Sequence, residues 1–459
     1  MSKRFRDWSP NQIWLFPPSP KDWLPKGHLA YFVLDAVAEL DLQPILAHYE
    51  KSPQGQPPFD PRMMLTLLFY AYCNGVLSSR KIMQRCETDA DFRVIVGEDI
   101  PNFRTISDFR KIHLETFQDL FVEVLQLCRE SGLGQLGVLA LDGTKLKANA
   151  SRHKAMSYDR MTQVEEILQQ EINELLARAA AADAAEDGEL GTDRRGDELP
   201  AELQQRESRL QKIREAKRRL EKRARAAAQA IADEQAAQGQ TPSIDPASVL
   251  PEPKDQINFT DPESRIMKLP NKGWDQCGNA QAIVSEDQLI VACDVTDQAN
   301  DVQQVEPMIQ QLEENLQAAG SSLLVRNLTT SVRPALLADA GYYSEKNTQA
   351  IESAGLDPFI ATQRLRHHER LTAPEPEEDA DGNNSYQTPK QKMARKVRSQ
   401  RGRETYSRRK TIVEPVFGQI KGVRGIRQFS MRGMKQMQGE WALICLTHNL
   451  LKLFRAQPA

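Results

Sequence analysis

The sequence predicts an α/β fold with a helical N-terminal part and a helical insertion, and three changes of texture along the chain predict it. Apolar residues repeat at helical spacing up to about residue 134. Short, continuous apolar runs characteristic of buried strands begin at Gly137 and resume after residue 279. Between them, from about Lys154 to Ala237, Ala, Glu, Arg and Gln dominate and apolar residues fall seven apart. A chain of 459 residues exceeds one ordinary domain. The expected division is a helical domain over 1–134, an α/β core over 135–150 and 271–455, and an inserted hairpin over 151–245.

In the first part, Leu29, Phe32, Val33, Ala36, Val37 and Leu40 mark one helix, and the almost wholly apolar Met63–Tyr72 marks a buried one. Ser78 and Ser79 are candidate caps for a short helix over Arg80–Cys86. One long helix is expected from Thr105, with Ile106, Phe109, Ile112, Phe117, Leu120, Val124 and Cys128 inward. Short helices carrying Arg80, Lys81, Arg104 and Arg110 fit a helix-turn-helix-like DNA binder and, equally, a plain bundle.

Gly137–Leu141 reads as a buried strand ending in Asp142. Met161, Leu168 and Leu175, then Leu203 and Leu210, then Ile213, Leu220 and Ala227 predict two long helices packed as a coiled-coil hairpin, joined by an acidic linker over Asp183–Pro200. Asn279–Ser285 and Leu289–Val295 predict an antiparallel pair. A helix over Val302–Ala319, a strand over Pro334–Ala338 ending in Asp339, a helix near Ser344–Ala354 and a strand at Asp357–Ala361 follow. Thr372–Gln387 is polar, acidic and rich in Pro and Gly, so it is expected to be mobile. Helices around Arg408–Lys421 and Met434–Arg455 close the chain. This element order is that of a ribonuclease-H-like core interrupted after its first strand.

Composition narrows the function. The apolar share is 40% and the charged share 27%, as in globular proteins. No apolar run is long enough to span a membrane, and the first residues lack a secretory apolar region, so the cytoplasm is the expected compartment. Six cysteines are scattered without metal-ligand spacing and predict buried free thiols. The net charge of −3 conceals a basic block: Lys392–Lys435 holds fourteen Lys or Arg against Glu404 and Glu414. Such a block is a footprint for a polyanion, although a lone charge run is more often a solvated face.

Two apolar strands that each end in Asp place Asp142 and Asp339 where α/β sheets form sites. Converging carboxylates share a proton or bind a cation, and oxygen-only ligands select hard ions such as Mg²⁺ or Mn²⁺. A third acid is needed to hold two ions, and Glu414 is the candidate. On a helix, Lys410, Glu414 and Lys421 would share one face and Val413, Phe417 and Ile420 the apolar one. Pro415 either begins a helix or kinks one, and a kinked continuous helix is the expectation. No phosphate-binding glycine loop, serine elbow or zinc-protease motif competes.

Asp142-Gly-Thr-Lys-Leu-Lys-Ala-Asn-Ala-Ser151, Asp339-Ala-Gly-Tyr-Tyr-Ser-Glu-Lys-Asn347 and Tyr406–Lys421 together resemble the three motifs of the DDE transposases of bacterial insertion sequences, in the branch with a Tyr–Arg–Glu–Lys signature. The run from Pro61 to Arg110 resembles that family's helical end-binding region, and Asp261-Pro-Glu-Ser-Arg265 a recurrent motif of the branch. One departure stands out: Lys410 is four residues before Glu414 and Arg409 five, so either could be the basic partner. The resemblance implies two-metal phosphoryl transfer that cuts double-stranded DNA at element ends and joins the freed 3′-hydroxyl to target DNA. It implies metal ligation by Asp142, Asp339 and Glu414. DNA contacts would come from Tyr406, Arg409, Lys410 and Lys421, with Arg80, Lys81, Arg104 and Arg110 in the helical part. A homodimer is expected, because two ends must be paired, acting at the nucleoid. The competing readings are a DNA-binding regulator that has lost catalysis and a nuclease that cuts without joining.

Overall fold

A computed structural model describes residues 19, 22–50, 57–190, 201–237, 241, 244–269, 273–320, 333–363 and 388–457. Of the linker expected over Asp183–Pro200, residues 183–190 are helical instead, and 191–200, like the acidic stretch at 372–387, lie outside the described residues. Among the described residues seven helices come first: α1 (Leu29–Ala38), α2 (Gln43–Glu50), α3 (Pro61–Cys73), α4 (Ser79–Thr88), α5 (Ala90–Val96), α6 (Phe103–Ile112) and α7 (Thr116–Glu130). The single helix expected from Thr105 is thus two. The chain breaks at His113–Glu115, and Ile112 is left 52% exposed because the turn takes it off the apolar stripe.

The sheet contains β1 (Val138–Lys147), β4 (Arg265–Lys268), β5 (Trp274–Ser285), β6 (Ile290–Thr296), β7 (Ala335–Ala338) and β8 (Asp357–Ile360). Its path runs β4–β5–β1–β7–β8, with β6 also on β5. The β1–β5, β4–β5 and β5–β6 pairs are antiparallel, and β1–β7 and β7–β8 are parallel. Helix α10 (Val305–Ala318) joins β6 to β7 in sequence, and α11 (Glu345–Ser353) joins β7 to β8. Helices α12 (Pro389–Arg398), α13 (Gln400–Gly418) and α14 (Met434–Ala456) follow. Pro415 lies inside α13, as the continuous-helix reading expects.

One apolar core runs from the first helices into the sheet, with α14 packed against both α3 and α7 and against β6. Trp441 is its largest fully buried side chain. All six cysteines are buried and free. His448 is a core residue: its ring meets the Gln288 carbonyl at 3.0 Å and the Gln419 side chain at 3.1 Å, and burial pushes its pKa down to about 3.

A second, separate core holds the inserted hairpin, α8 (Tyr158–Leu190) and α9 (Ala201–Ala237). Met161, Leu168 and Ile172 meet Leu203, Leu210, Ile213 and Leu220, while Ala227 is exposed, so the heptad seam ends one repeat earlier than the spacing predicts. The hairpin rises from the paired strands β2 (Ala155–Ser157) and β3 (Gln256–Asn258).

The Asp261–Arg265 motif acquires a role here. Asp261, 1% exposed, accepts from Gly433 N–H at 3.2 Å, and Glu263 accepts from Met434 N–H. Two carboxylates therefore cap the N-terminus of α14, where unpaired N–H groups and the helix dipole favour negative charge. Arg223 of α9 donates to the Pro262 carbonyl at 2.9 Å and ties the hairpin to the same turn.

Candidate active site

Strand register brings the two aspartates together. The parallel pairing of β1 and β7 ends at Leu141 opposite Ala338, so Asp142 and Asp339 are each the next residue. The strand β1 does not stop at Asp142, as its apolar run suggests. It continues to Lys147 because β5 pairs with it along that length, and Asp142 is a strand-end residue only with respect to β7. Both side chains are half-buried. Asp142 Oδ1 accepts from Gly143 N–H at 2.8 Å, and Asp339 Oδ1 accepts from Gly341 N–H at 2.8 Å.

Arg409, projecting from α13, closes the group. Its Nη1 donates to Asp142 Oδ2 at 2.8 Å. Burial pushes the Asp142 carboxyl up to about 6; Arg409 opposes that rise, and Asp339 adds to it by repulsion. The desolvation of Asp142 outweighs its ion pair. Burial alone would lower the Arg409 pKa, yet the charges of Asp142, Tyr406 and Asp339 carry it above its ordinary value. Arg409 Nε is buried without a partner among the described residues, so one donor of this guanidinium is left over. Tyr406, one turn earlier, is raised chiefly by burial and lies within electrostatic reach of Arg409, Asp339 and Asp142.

Glu414 is not part of this group. It is exposed, five residues beyond Arg409 and so about 140° around α13. Among the described residues, no three His, Cys, Asp or Glu side chains are close enough to hold one metal ion. Lys410 is exposed beside it. Lys421 does not share their face. A π-helical turn over Gln419–Val423 follows α13 and shifts the helical phase, turning Lys421 inward, where it donates to the Lys145 carbonyl at 3.0 Å. Burial lowers its pKa. The basic partner that the motif spacing left open is Arg409 in this arrangement, since it is the one that reaches an aspartate.

The sheet's other face carries residues that the sequence did not single out. Asp301, just before α10, accepts from Asn279 Nδ2 at 2.7 Å and from Gln281 Nε2 at 2.9 Å. Gln281 Oε1 accepts from the hydroxyl of Tyr342, a fully buried residue three after Asp339. A Cβ on Gly143 would stand 2.5 Å from Gln281 Nε2, so only glycine lets this amide pack beneath Asp142. The Asp301–Gln281–Tyr342 chain thus braces both aspartate loops from below. Asn279 and Gln281, at alternate positions beside the apolar Ala280, Ala282, Ile283 and Val284, were the available signal; a buried amide demands a partner.

In the helical part, Arg80, Lys81 and Arg104 are exposed, and the guanidinium groups of Arg80 and Arg104 lie 5.0 and 5.8 Å from the Phe103 ring centroid. Arg110 departs from expectation. It is 5% exposed, and its guanidinium donates to the Tyr72 hydroxyl at 2.9 Å and the Leu77 carbonyl at 2.8 Å. Tyr72 in turn donates to buried Glu440 at 3.1 Å. A charge so enclosed joins α6 to α3 and α14 and is not available to DNA.

Two family models match the chain. One described as Transposase domain (DUF772) covers residues 18–112, and one described as Transposase DDE domain covers residues 244–450. No curated protein and no solved structure matches. Among the described residues, no helix is long and apolar enough to cross a membrane.

Proposed function

We propose, from the premise that the chain is a DDE-type transposase of the insertion-sequence type, that it cuts DNA at the ends of its element and joins the freed 3′-hydroxyl to target DNA. The observation that carries the reading is the Asp142–Asp339 pair at the end of the β1–β7 ladder, with Arg409 as countercharge. The sheet, with antiparallel β6–β5–β1 followed by parallel β7 and β8, supports a ribonuclease-H-like core. We assign residues 135–150 and 271–455 to that core, 1–134 to DNA recognition and 151–245 to an inserted arm.

The donor set fits a hard divalent cation: two adjacent carboxylates, all oxygen, one of them desolvated enough to reach about 6. Asp142 and Asp339 would hold Mg²⁺ or Mn²⁺; Glu414, exposed and about 140° around α13 from Arg409, would reach a second ion only if α13 turns when DNA binds. Two such ions supply Lewis acidity to the attacking and leaving oxygens of an in-line displacement. Arg409 then has less carboxylate charge to balance and would be free to grip a phosphate through its guanidinium. Tyr406, Lys410 and Lys421 line the same helix and its π turn and would position the backbone near the cut. Arg80, Lys81 and Arg104 form the exposed basic face for end recognition. A homodimer would pair the two ends.

Labelled end DNA incubated with the chain and Mg²⁺ tests this. The expected products are a cut end and a joined strand, neither formed in chelator. Cutting without joined product would point to a nuclease, and DNA binding without cutting to a regulator.

A further inference from the structure

The outer face of the inserted hairpin carries charge that its own fold does not use. Residues 206–225 of α9 include ten Lys or Arg and three acids. The inward members are committed within the chain: Arg214 and Lys217 both pair with Glu165 of α8 at 2.9 and 2.8 Å, and Arg223 holds the Pro262 carbonyl. The apolar seam, through Leu210, Ile213 and Leu220, fixes which side faces away. On that side lie Lys212, Arg218, Lys222 and Arg225, all exposed and none in an ion pair among the described residues. Arg219 shares the face but is paired with Glu215 at 2.6 Å. Arg225 has one further neighbour in electrostatic range, Tyr158.

We propose that this stripe is a second DNA contact, a sequence-independent grip on the phosphate backbone of duplex DNA. From Lys212 to Arg225 the helix advances about 20 Å, a span over which each strand of B-DNA presents roughly six phosphates. Four free cations against one already paired acid make a surface of single sign, which attracts a polyanion and repels another copy of itself. The exposed acids of α8, such as Glu166 and Glu174, lie on the other helix, so the hairpin is basic on one helix and acidic on its neighbour. The inference rests on the transposase reading only for DNA being the polyanion at hand. Lys and Arg spaced along one exposed helix face match the charge of the phosphate backbone, so the contact is expected to hold flanking or target DNA regardless of sequence.

The test replaces Lys212, Arg218, Lys222 and Arg225 together by glutamine in the full chain, a change that keeps helix propensity. Binding to a random-sequence duplex is followed by fluorescence anisotropy across a salt series. Each lost phosphate contact should reduce the log–log salt slope by about 0.9, so the fourfold variant should lose about 3 to 4 units of slope. Its affinity loss between ~50 and ~200 mM salt should be about a hundredfold smaller than that of the parent. The single variant Lys222→Gln should lose about one unit and covers failure of the fourfold variant to fold. A slope equal to the parent's in both variants overturns the proposal. So does an unchanged slope with an altered sedimentation state, which would make the stripe a contact between copies. Cleavage of end DNA is scored separately: a chain that never cuts yet shows the slope difference fails as a nuclease while keeping the arm.

Discussion

Asp142→Asn is expected to lower metal-dependent cleavage of end DNA roughly a thousandfold, about 4 kcal/mol on the barrier. The substitution keeps shape and removes charge. It deletes an anionic donor from the position that β1 and β7 bring beside Asp339, and it strips Arg409 of its closest partner. The fold should survive. In the native chain without metal, the Asp142 carboxyl is raised to about 6, above its unfolded value near 4. A raised carboxyl contributes its stability below the unfolded pKa and loses it as pH rises through the folded one. Asparagine does not titrate. In chelator, the melting temperature of the variant relative to the parent should therefore increase between about pH 4 and pH 7. Cleavage at the parent rate, or a melting difference independent of pH, would remove Asp142 from the site.

Gly75→Ala is expected to cost at least about 3 kcal/mol, adding a left-handed backbone penalty to a backbone clash. Gly75 ends α3 at φ +72°, and an added Cβ would press into the carbonyl of Arg424, 2.8 Å from its carbon. Arg424 has nowhere to retreat. It is fully enclosed, pushed down to about 10 by burial, and donates to the Tyr72 carbonyl at 3.1 Å, the Ile444 carbonyl at 3.1 Å and Thr447 Oγ1 at 2.7 Å. That contact locks the helical part onto the segment following α13, so loosening it loosens the site. Gly27→Ala is the control: its φ is +78°, with nothing within 4 Å of a Cβ. It should cost only the backbone term, about 1–2 kcal/mol. Equal denaturation midpoints for the two variants would contradict the clash.

Much of the architecture was legible because it is written in local pattern. Gly137–Leu141 and Pro334–Ala338 are apolar on both faces, which marks central strands, and each is followed by an acid. The hairpin at 279–295 and the heptads of the insertion are periodic. What stayed hidden was long-range. The continuation of β1 past Asp142 depends on β5, more than a hundred residues later. The buried state of Arg110 depends on Tyr72 and Leu77 accepting its protons. The bracing of Asp142 and Asp339 by Asp301 passes through Gln281 and Tyr342, from three separate elements. Glu414 is the instructive case. Its motif identifies it, but its direction follows from helical phase, and α13 turns Arg409 to the aspartates and Glu414 away from them. The inward turn of Lys421 likewise follows from a π turn that no spacing announces.

The central claim is that Asp142 and Asp339 form one divalent-cation site. Binding of Mn²⁺ to the metal-free chain, followed by electron paramagnetic resonance as loss of the free-ion signal, measures it without any DNA. The parent should take up Mn²⁺, and Asp142→Ala with Asp339→Ala should abolish the tight site, while Glu414→Gln, a change at an exposed position outside the pair, should leave uptake as in the parent. Uptake by the double variant equal to that of the parent would contradict the account.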